Sequence, residues 1–166
     1  MDNELQSTED SYFFFWKGNL SQWAKSPFSE GEIEYCTAEQ YMMYHKAILF
    51  NDLETAQKIL KTRNPRDQQA FGRQVAGYVQ EIWDEAKLDI VIKGNMLKFT
   101  QNLVFQSELL ATGDALLVEA SPVDKIWGIG LDAEAAAKIP RSKWPGENKL
   151  GIALTIVRER IRLKVL

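Results

Sequence analysis

Short apolar runs with strand character alternate along this chain with longer stretches in which apolar residues recur every three to four positions. Tyr12-Phe13-Phe14-Phe15-Trp16, closed by Lys17-Gly18-Asn19, predicts a strand and a turn. Leu20-Ser21-Gln22-Trp23 reads as a loop running to Pro27, and Glu32-Ile33-Glu34-Tyr35 predicts a second strand. Thr37 with Gln40 three positions on is a capping box, so a helix is expected to begin there. Asn51-Asp52 caps a second helix through Leu53, Ala56, Ile59 and Leu60. Asn64-Pro65 opens a third, with proline at the first helical position and Gly72 and Gly77 bracketing its end. The longest helical pattern covers 81–102, with Trp83, Leu88, Ile92, Met96 and Phe99 at helical spacing and Gly94 as a weak point and candidate bend. Residues 107–112 predict a short helix stopped by Gly113, 115–120 a strand, and 148–163 a final amphipathic helix. Residues 121–147 hold three prolines and three glycines and read as one long loop, a kind of segment that often carries function. The expectation is a mainly α (α+β) fold with a few short strands, one domain over 12–166 behind a loose polar tail at 1–11.

Composition narrows the function classes. The chain is 45% apolar and 26% charged, as an ordinary globular protein is. A net charge of -3 argues against coating nucleic acid by charge alone, though not against a nucleotide or a modified base as ligand. Cys36 is the one cysteine and His45 the one histidine, which leaves no internal disulfide and no Cys- or His-rich metal centre. Both read as structural residues. With no basic-then-apolar leader and no apolar run of spanning length, a cytoplasmic protein with no membrane partner is expected.

The candidate chemistry centres on Glu39 and Lys46. Seven residues make almost two helical turns, which puts both on one face about 10 Å apart along the axis. That is too far for a short ion pair but suitable for converging on one polar ligand. A carboxylate in the first turn is ordinarily helix-end electrostatics, and the dipole should hold Glu39 ionised; proton donation would require burial. Lys46 is ordinarily a solvated lysine, yet its flanks Met42, Met43, Tyr44 and Ala47 make desolvation, and hence a nucleophilic amine, credible. Arg73 and Lys98 are candidate phosphate holders, and Asn102 a helix-end residue or ligand hydrogen bonder. In Asp124-Lys125-Ile126-Trp127-Gly128-Ile129-Gly130, Trp127 is either a packing plug or a platform for a base, with glycine letting backbone approach it. Asn148 is either a simple cap or part of an anion site at a helix start.

The order of these segments resembles the NADAR family of YbiA-like proteins over residues 12–163. The matching pieces are Leu20-Ser21-Gln22-Trp23, Thr37-Ala38-Glu39-Gln40 leading to Lys46-Ala47, Gly72-Arg73, Trp83, Lys98-Phe99 with Asn102, and Leu109-Leu110-Ala111-Thr112-Gly113. Leu117-Val118-Glu119, Asp124 with Trp127-Gly128-Ile129-Gly130, Asn148-Lys149-Leu150-Gly151 and Arg158 complete the series. The resemblance implies N-glycosidase chemistry on ribosylated bases, with no cofactor and no metal. It implies two substrate classes: phosphoribosylamino-pyrimidine intermediates of riboflavin biosynthesis, or ADP-ribosyl-guanine, which would bring modified nucleic acid as a partner. A non-catalytic ADP-ribose or nucleotide binder is the rival outside catalysis. The catalytic candidates are Glu39, Lys46 and Asp124. The substrate-binding candidates are Ser21, Arg73, Trp83, Lys98, Asn102, Trp127, Gly128 and Asn148. Ser21-Gln22-Trp23 stands where the family more usually has a Ser-Asn-Phe-type segment. The loop between Gly130 and Gly146 carries Ala135-Ala136-Ala137 and Arg141-Ser142-Lys143-Trp144, so the substrate is less defined than the reaction. The segment Arg141-Ser142-Lys143-Trp144 could touch a nucleic-acid strand locally.

Overall fold

The computed structural model describes residues 11–164 and shows a mainly helical α+β fold. The strands are β1 (Tyr12–Phe15), β2 (Phe28–Glu30), β3 (Ile33–Tyr35) and β4 (Leu116–Glu119). The helices are α1 (Ala38–Leu49), α2 (Leu53–Lys61), α3 (Pro65–Gly72), α4 (Gln80–Gln101), α5 (Leu103–Ala111), α6 (Ala133–Ala137) and α7 (Lys149–Arg162), with a 3-10 turn at Arg141–Lys143. Apart from Ser11, the tail expected at 1–11 lies outside the described residues.

β1 and β4 pair in parallel, Tyr12 opposite Leu116 and Phe15 opposite Glu119. A parallel pair needs a crossover; here everything from β2 to α5 lies between the two strands in the chain. β2 and β3 form an antiparallel hairpin around Gly31, whose φ of 59° is open to glycine at little cost. Sequence pattern misses β2, because its apolar content is the single Phe28. α4 is the axis of the fold, packing against α1, α5 and α7. Met42, Ala47, Val91, Phe99, Leu150, Leu154 and Val157 fill the core between them.

The capping box at α1 is half formed as expected. The Thr37 side chain accepts from the Gln40 N–H at 3.0 Å, but Gln40 Oε1 reaches back to the N–H of Cys36 rather than of Thr37. The reason is the other end of the amide: Gln40 Nε2 is drawn to the carbonyls of Ile59 and Thr62 at the end of α2. Gly94 does not bend α4. It is buried, and a Cβ there would sit 2.5 Å from the Tyr41 ring, so glycine serves close packing of α1 on α4. α5 begins at Leu103 rather than 107, because Asn102 both ends α4 and starts α5. The expected long loop contains α6, capped by the Asp132 side chain on the Ala135 N–H at 2.8 Å.

α7 lies directly on β4. At Gly151 an added Cβ would overlap the Leu117 carbonyl and the Asn148 side chain, so helix and strand meet backbone to backbone. Arg158, only 1% exposed, fastens the same element by donating to Thr112 Oγ1 (2.9 Å) and the Ala115 carbonyl (2.8 Å). Gly151→Ala should therefore lower stability by about 1–3 kcal/mol, overpacking outweighing the better helix propensity of alanine. Urea unfolding checks this, and an unchanged midpoint would contradict the close helix–strand contact.

Candidate active site

One cavity of about 1340 Å³ opens between the Lys17–Lys25 turn, α1, the start of α4 and the loop after β4. With the end of α3, which brings Gln69 and Arg73, five separate stretches supply its walls. α1 contributes Glu39, Met42, Met43 and Lys46 from one face, as the seven-residue spacing requires. Arg73 enters just past the end of α3, which approaches α1 so closely that a Cβ at Gly72 would overlap Met43. Trp83 comes from the first turn of α4, preceded by Tyr78. Asp124 and Trp127 come from the loop after β4. The Asp124 Oδ1 accepts from the backbone N–H groups of Ile126 and Trp127, each at 2.8 Å, which aims the rest of the side chain. Of the sequence-derived site residues, Ser21, Glu39, Lys46, Arg73, Trp83, Asp124 and Trp127 converge here.

Electrostatics reverse the expected state of Glu39. The side chain is 4% exposed, and its pKa is pushed up to about 8 by burial first and by the Asp124 charge second. Arg73 and Lys46 act in the opposite direction without prevailing. Burial overrides the helix dipole. At neutral pH Glu39 is therefore a carboxylic acid that can give a proton, not the ionised group that the helix start predicts. The Lys46 pKa is lowered, by burial first, with Glu39 opposing and Arg73 assisting. Its Nζ lies over the rings of Tyr78 (4.6 Å) and Trp83 (5.4 Å), so two aromatic faces share the cation. Trp83 thus acts at least as a wall for Lys46.

Four sequence-derived candidates do not line the cavity. Lys98 is fully buried, its amine donating to the Ser21 carbonyl at 2.9 Å, and burial lowers its pKa to about 7. It braces the turn that forms one wall and cannot reach a phosphate in the cavity. Asn102 donates to the carbonyls of Pro27 and Lys98 at a helix junction. Gly128 accepts the Asn148 N–H, and a Cβ there would lie 3.0 Å from the Glu119 carbonyl, so it packs backbone rather than ligand. Asn148 starts α7 in the left-handed conformation (φ 54°) without a side-chain cap. Its amide is turned to β4 instead, taking the Glu119 N–H and giving to the Leu117 carbonyl. Trp144 likewise packs on Tyr12 and Phe14 and donates to the Ala136 carbonyl, so it is no free platform for a strand.

A family model described as "NADAR domain" matches residues 12–162. The chain belongs to the NADAR family. An N-glycosidase of Acanthamoeba polyphaga mimivirus is 47% identical to it over 90% of this chain and 96% of its own length. A riboflavin biosynthesis protein of Vibrio vulnificus is 29% identical over 72% of this chain, which spans 29% of that protein. The NMR structure of Escherichia coli YbiA superposes with a TM-score of 0.77 at 24% identity, covering 95% of this chain and 89% of that one, which shows the shared fold.

This NADAR chain also places in the cavity residues that sequence reasoning misses. Gln22, Tyr78 and Glu119 line it, as do Lys17, Lys25 and Lys125. Gln22 is 7% exposed and is held by Asn95, whose Nδ2 gives to both Gln22 Oε1 and the Val91 carbonyl at 2.9 Å. Two sequence signals mark Glu119: it closes the family-like piece Leu117-Val118-Glu119, and it is a charge ending the apolar run Leu116-Leu117-Val118. Among the described residues no group of three or more His, Cys, Asp or Glu side chains is placed to hold a metal ion, and no helix is long and apolar enough to cross a membrane.

The raised pKa of Glu39 has a consequence for stability. Between the unfolded carboxyl pKa near 4.5 and the folded value of about 8, the native state holds the extra proton, so Glu39 costs stability as pH rises through that window. Glu39→Gln should thus melt higher than the native chain at pH 8, with the gap closing toward pH 4.5. Melting curves across that range check it; a gap that widens toward acid would contradict a buried neutral Glu39.

Proposed function

We propose that this protein is an N-glycosidase that hydrolyses the C1–N bond between ribose and a base. The observation that carries this reading is the cavity's pairing of a buried neutral acid, Glu39, with the hydrogen-bond-aimed Asp124 and a desolvated amine, Lys46. Glu39 gives its proton to the base nitrogen while the electron pair of the breaking C1–N bond moves onto the base. Positive charge then develops on the sugar, and Asp124 opposes it. Water adds at C1 and leaves its proton on Asp124. In a second route the ring opens to an imine between C1 and the base nitrogen, the Lys46 amine adds to C1, and the C1–N bond breaks as the base leaves with the proton from Glu39; water then adds to the Lys46 Schiff base, releasing the sugar aldehyde and the free amine. Trp127 and Trp83 offer flat faces to the base. Arg73 supplies a cation for the phosphate, and Lys17, Lys25 and Lys125 take over the role expected of the buried Lys98.

The substrate class we infer is the phosphoribosylamino-pyrimidine intermediates of riboflavin biosynthesis, cleaved to ribose 5-phosphate and the aminopyrimidine. The sequence resemblance and the likeness to a riboflavin biosynthesis protein support it. ADP-ribosyl-guanine is the second reading, favoured by the cavity volume, which exceeds what a single ribosylated base fills. Base release by the purified protein from each substrate distinguishes the two, and release from neither would refute the glycosidase reading.

Glu39→Gln removes the proton donor with almost no change in volume and should cut base release at least about a hundredfold. Near-native turnover in that variant, assayed at pH 7, would refute the role of Glu39. Borohydride should trap a sugar adduct on the native protein and none on Lys46→Arg, which keeps the charge but not the nucleophilic amine. No adduct on either protein would leave the direct water route and contradict the Schiff base.

A further inference from the structure

Among the described residues, four buried side-chain polar atoms have no hydrogen-bond partner within the protein: Gln22 Nε2, His45 Nε2, Asn95 Oδ1 and Glu119 Oε2. Three of the four gather at one place, since Gln22 and Glu119 line the cavity and Asn95 is bonded to Gln22. Buried polar groups in native folds are nearly always paired, so an orphan on a cavity wall points to a partner that arrives with a ligand. Of the two that line the cavity, Gln22 is the one whose orientation is fixed by its own bonds.

That orientation follows from α4. The Val91 carbonyl can only accept, so the Asn95 atom 2.9 Å from it is the amide nitrogen. The same nitrogen lies 2.9 Å from the Gln22 amide, which must therefore turn its oxygen to Asn95. Asn95 is fully buried and does not line the cavity, so the bonded end of the Gln22 amide faces the protein and Nε2 is its free end. The backbone on either side is equally fixed. The Ser21 carbonyl takes the Lys98 amine at 2.9 Å, and the Gln22 carbonyl takes the Glu39 N–H at 3.0 Å. Gln22 is thus a pinned, uncharged donor next to the residue that gives the proton.

Burial separates the two ends of the cavity. Arg73, Lys17, Lys25 and Lys125, the cations available to a phosphate, are exposed, whereas Gln22 and Glu39 are buried. A phosphate is thereby served at the mouth, and the neutral donor is left for an uncharged acceptor at the buried end, where Glu39 meets the base. We propose that Gln22 is a specificity-determining residue of this site, its Nε2 donating a hydrogen bond to a ring carbonyl oxygen of the base. That the acceptor belongs to a base rests on the glycosidase reading; the fixed donor belongs to the resting protein. Pyrimidinone and guanine rings both carry such a carbonyl, whereas a ring with an amino group in its place would set donor against donor.

NMR titration of the full chain with two small bases tests this without turnover. The probes are diaminopyrimidinone and triaminopyrimidine, which has an amino group where the first has its carbonyl. Gln22→Glu keeps the volume and the oxygen that Asn95 holds and replaces only the donor end. It should weaken the pyrimidinone by about tenfold or more while leaving triaminopyrimidine as tight or tighter. Gln22→Met removes the whole amide and should weaken the pyrimidinone likewise, which keeps the test open if Gln22→Glu melts too low to be measured. No binding of the pyrimidinone by the native protein, or unchanged binding in a folded Gln22 variant, would overturn the proposal. Ribose 5-phosphate should bind all three proteins equally; a loss there in place of the pyrimidinone loss would put the acceptor on the sugar and overturn the assignment to the base. Absence of base release from either ribosylated substrate would refute the glycosidase reading alone and leave these affinities unaffected.

Discussion

Burial of one carboxyl group, Glu39 in the first turn of α1, sets the chemistry of everything around it. A helix start ordinarily favours a negative charge by a fraction of a kcal/mol to about 1 kcal/mol. Removal of water from the same group acts in the other direction and is larger. The turn before Trp23 is tied to the start of α1, the Glu39 N–H donating to the Gln22 carbonyl at 3.0 Å, and the Glu39 side chain is buried. Asp124 across the cavity adds a charge of the same sign. The outcome is an acid whose proton is available at neutral pH, beside a carboxylate aimed by two backbone N–H groups. Division of labour between two carboxyl groups follows from their surroundings rather than from their identity.

The cavity depends on groups that never reach it. Lys98 inside α4 holds the Ser21 carbonyl, and Asn95 holds Gln22, so one helix face braces the whole turn that forms the outer wall. Gly72 brings the end of α3 against Met43 and so delivers Arg73 beside Lys46. Asn148 fixes the end of β4 from which the following loop departs. Substitutions at these positions would disturb the site by loosening its frame, a route to lost activity that contact with substrate does not explain.

Much of this was legible in the chain, for reasons that are local. Helical spacing put Glu39 and Lys46 on one face, and the caps at Thr37, Asp52 and Asn64 mark helix starts where helices do begin. The α+β class followed from the same patterns. What pattern could not supply is the direction of a side chain after packing. Lys98 and Asn148 sit in segments that match the family, but burial turns one toward a carbonyl and the other toward a strand. Gly94 looked like a weak point in a helix because the Tyr41 ring that needs its space is more than fifty residues away in the chain. Glu119 ends an apolar run and closes a piece that matches the family, but neither feature tells that its side chain reaches the cavity. Only the fold brings it to the cavity that Asp124 and Glu39 also line.

The account turns on Glu39 as the proton donor, and the pH dependence of kcat/KM for base release addresses that most directly. The free enzyme should be active while Glu39 is protonated, so kcat/KM should fall as pH rises through about 8. A profile that instead climbs through that range would show that the ionised form is the working one and would contradict the central claim.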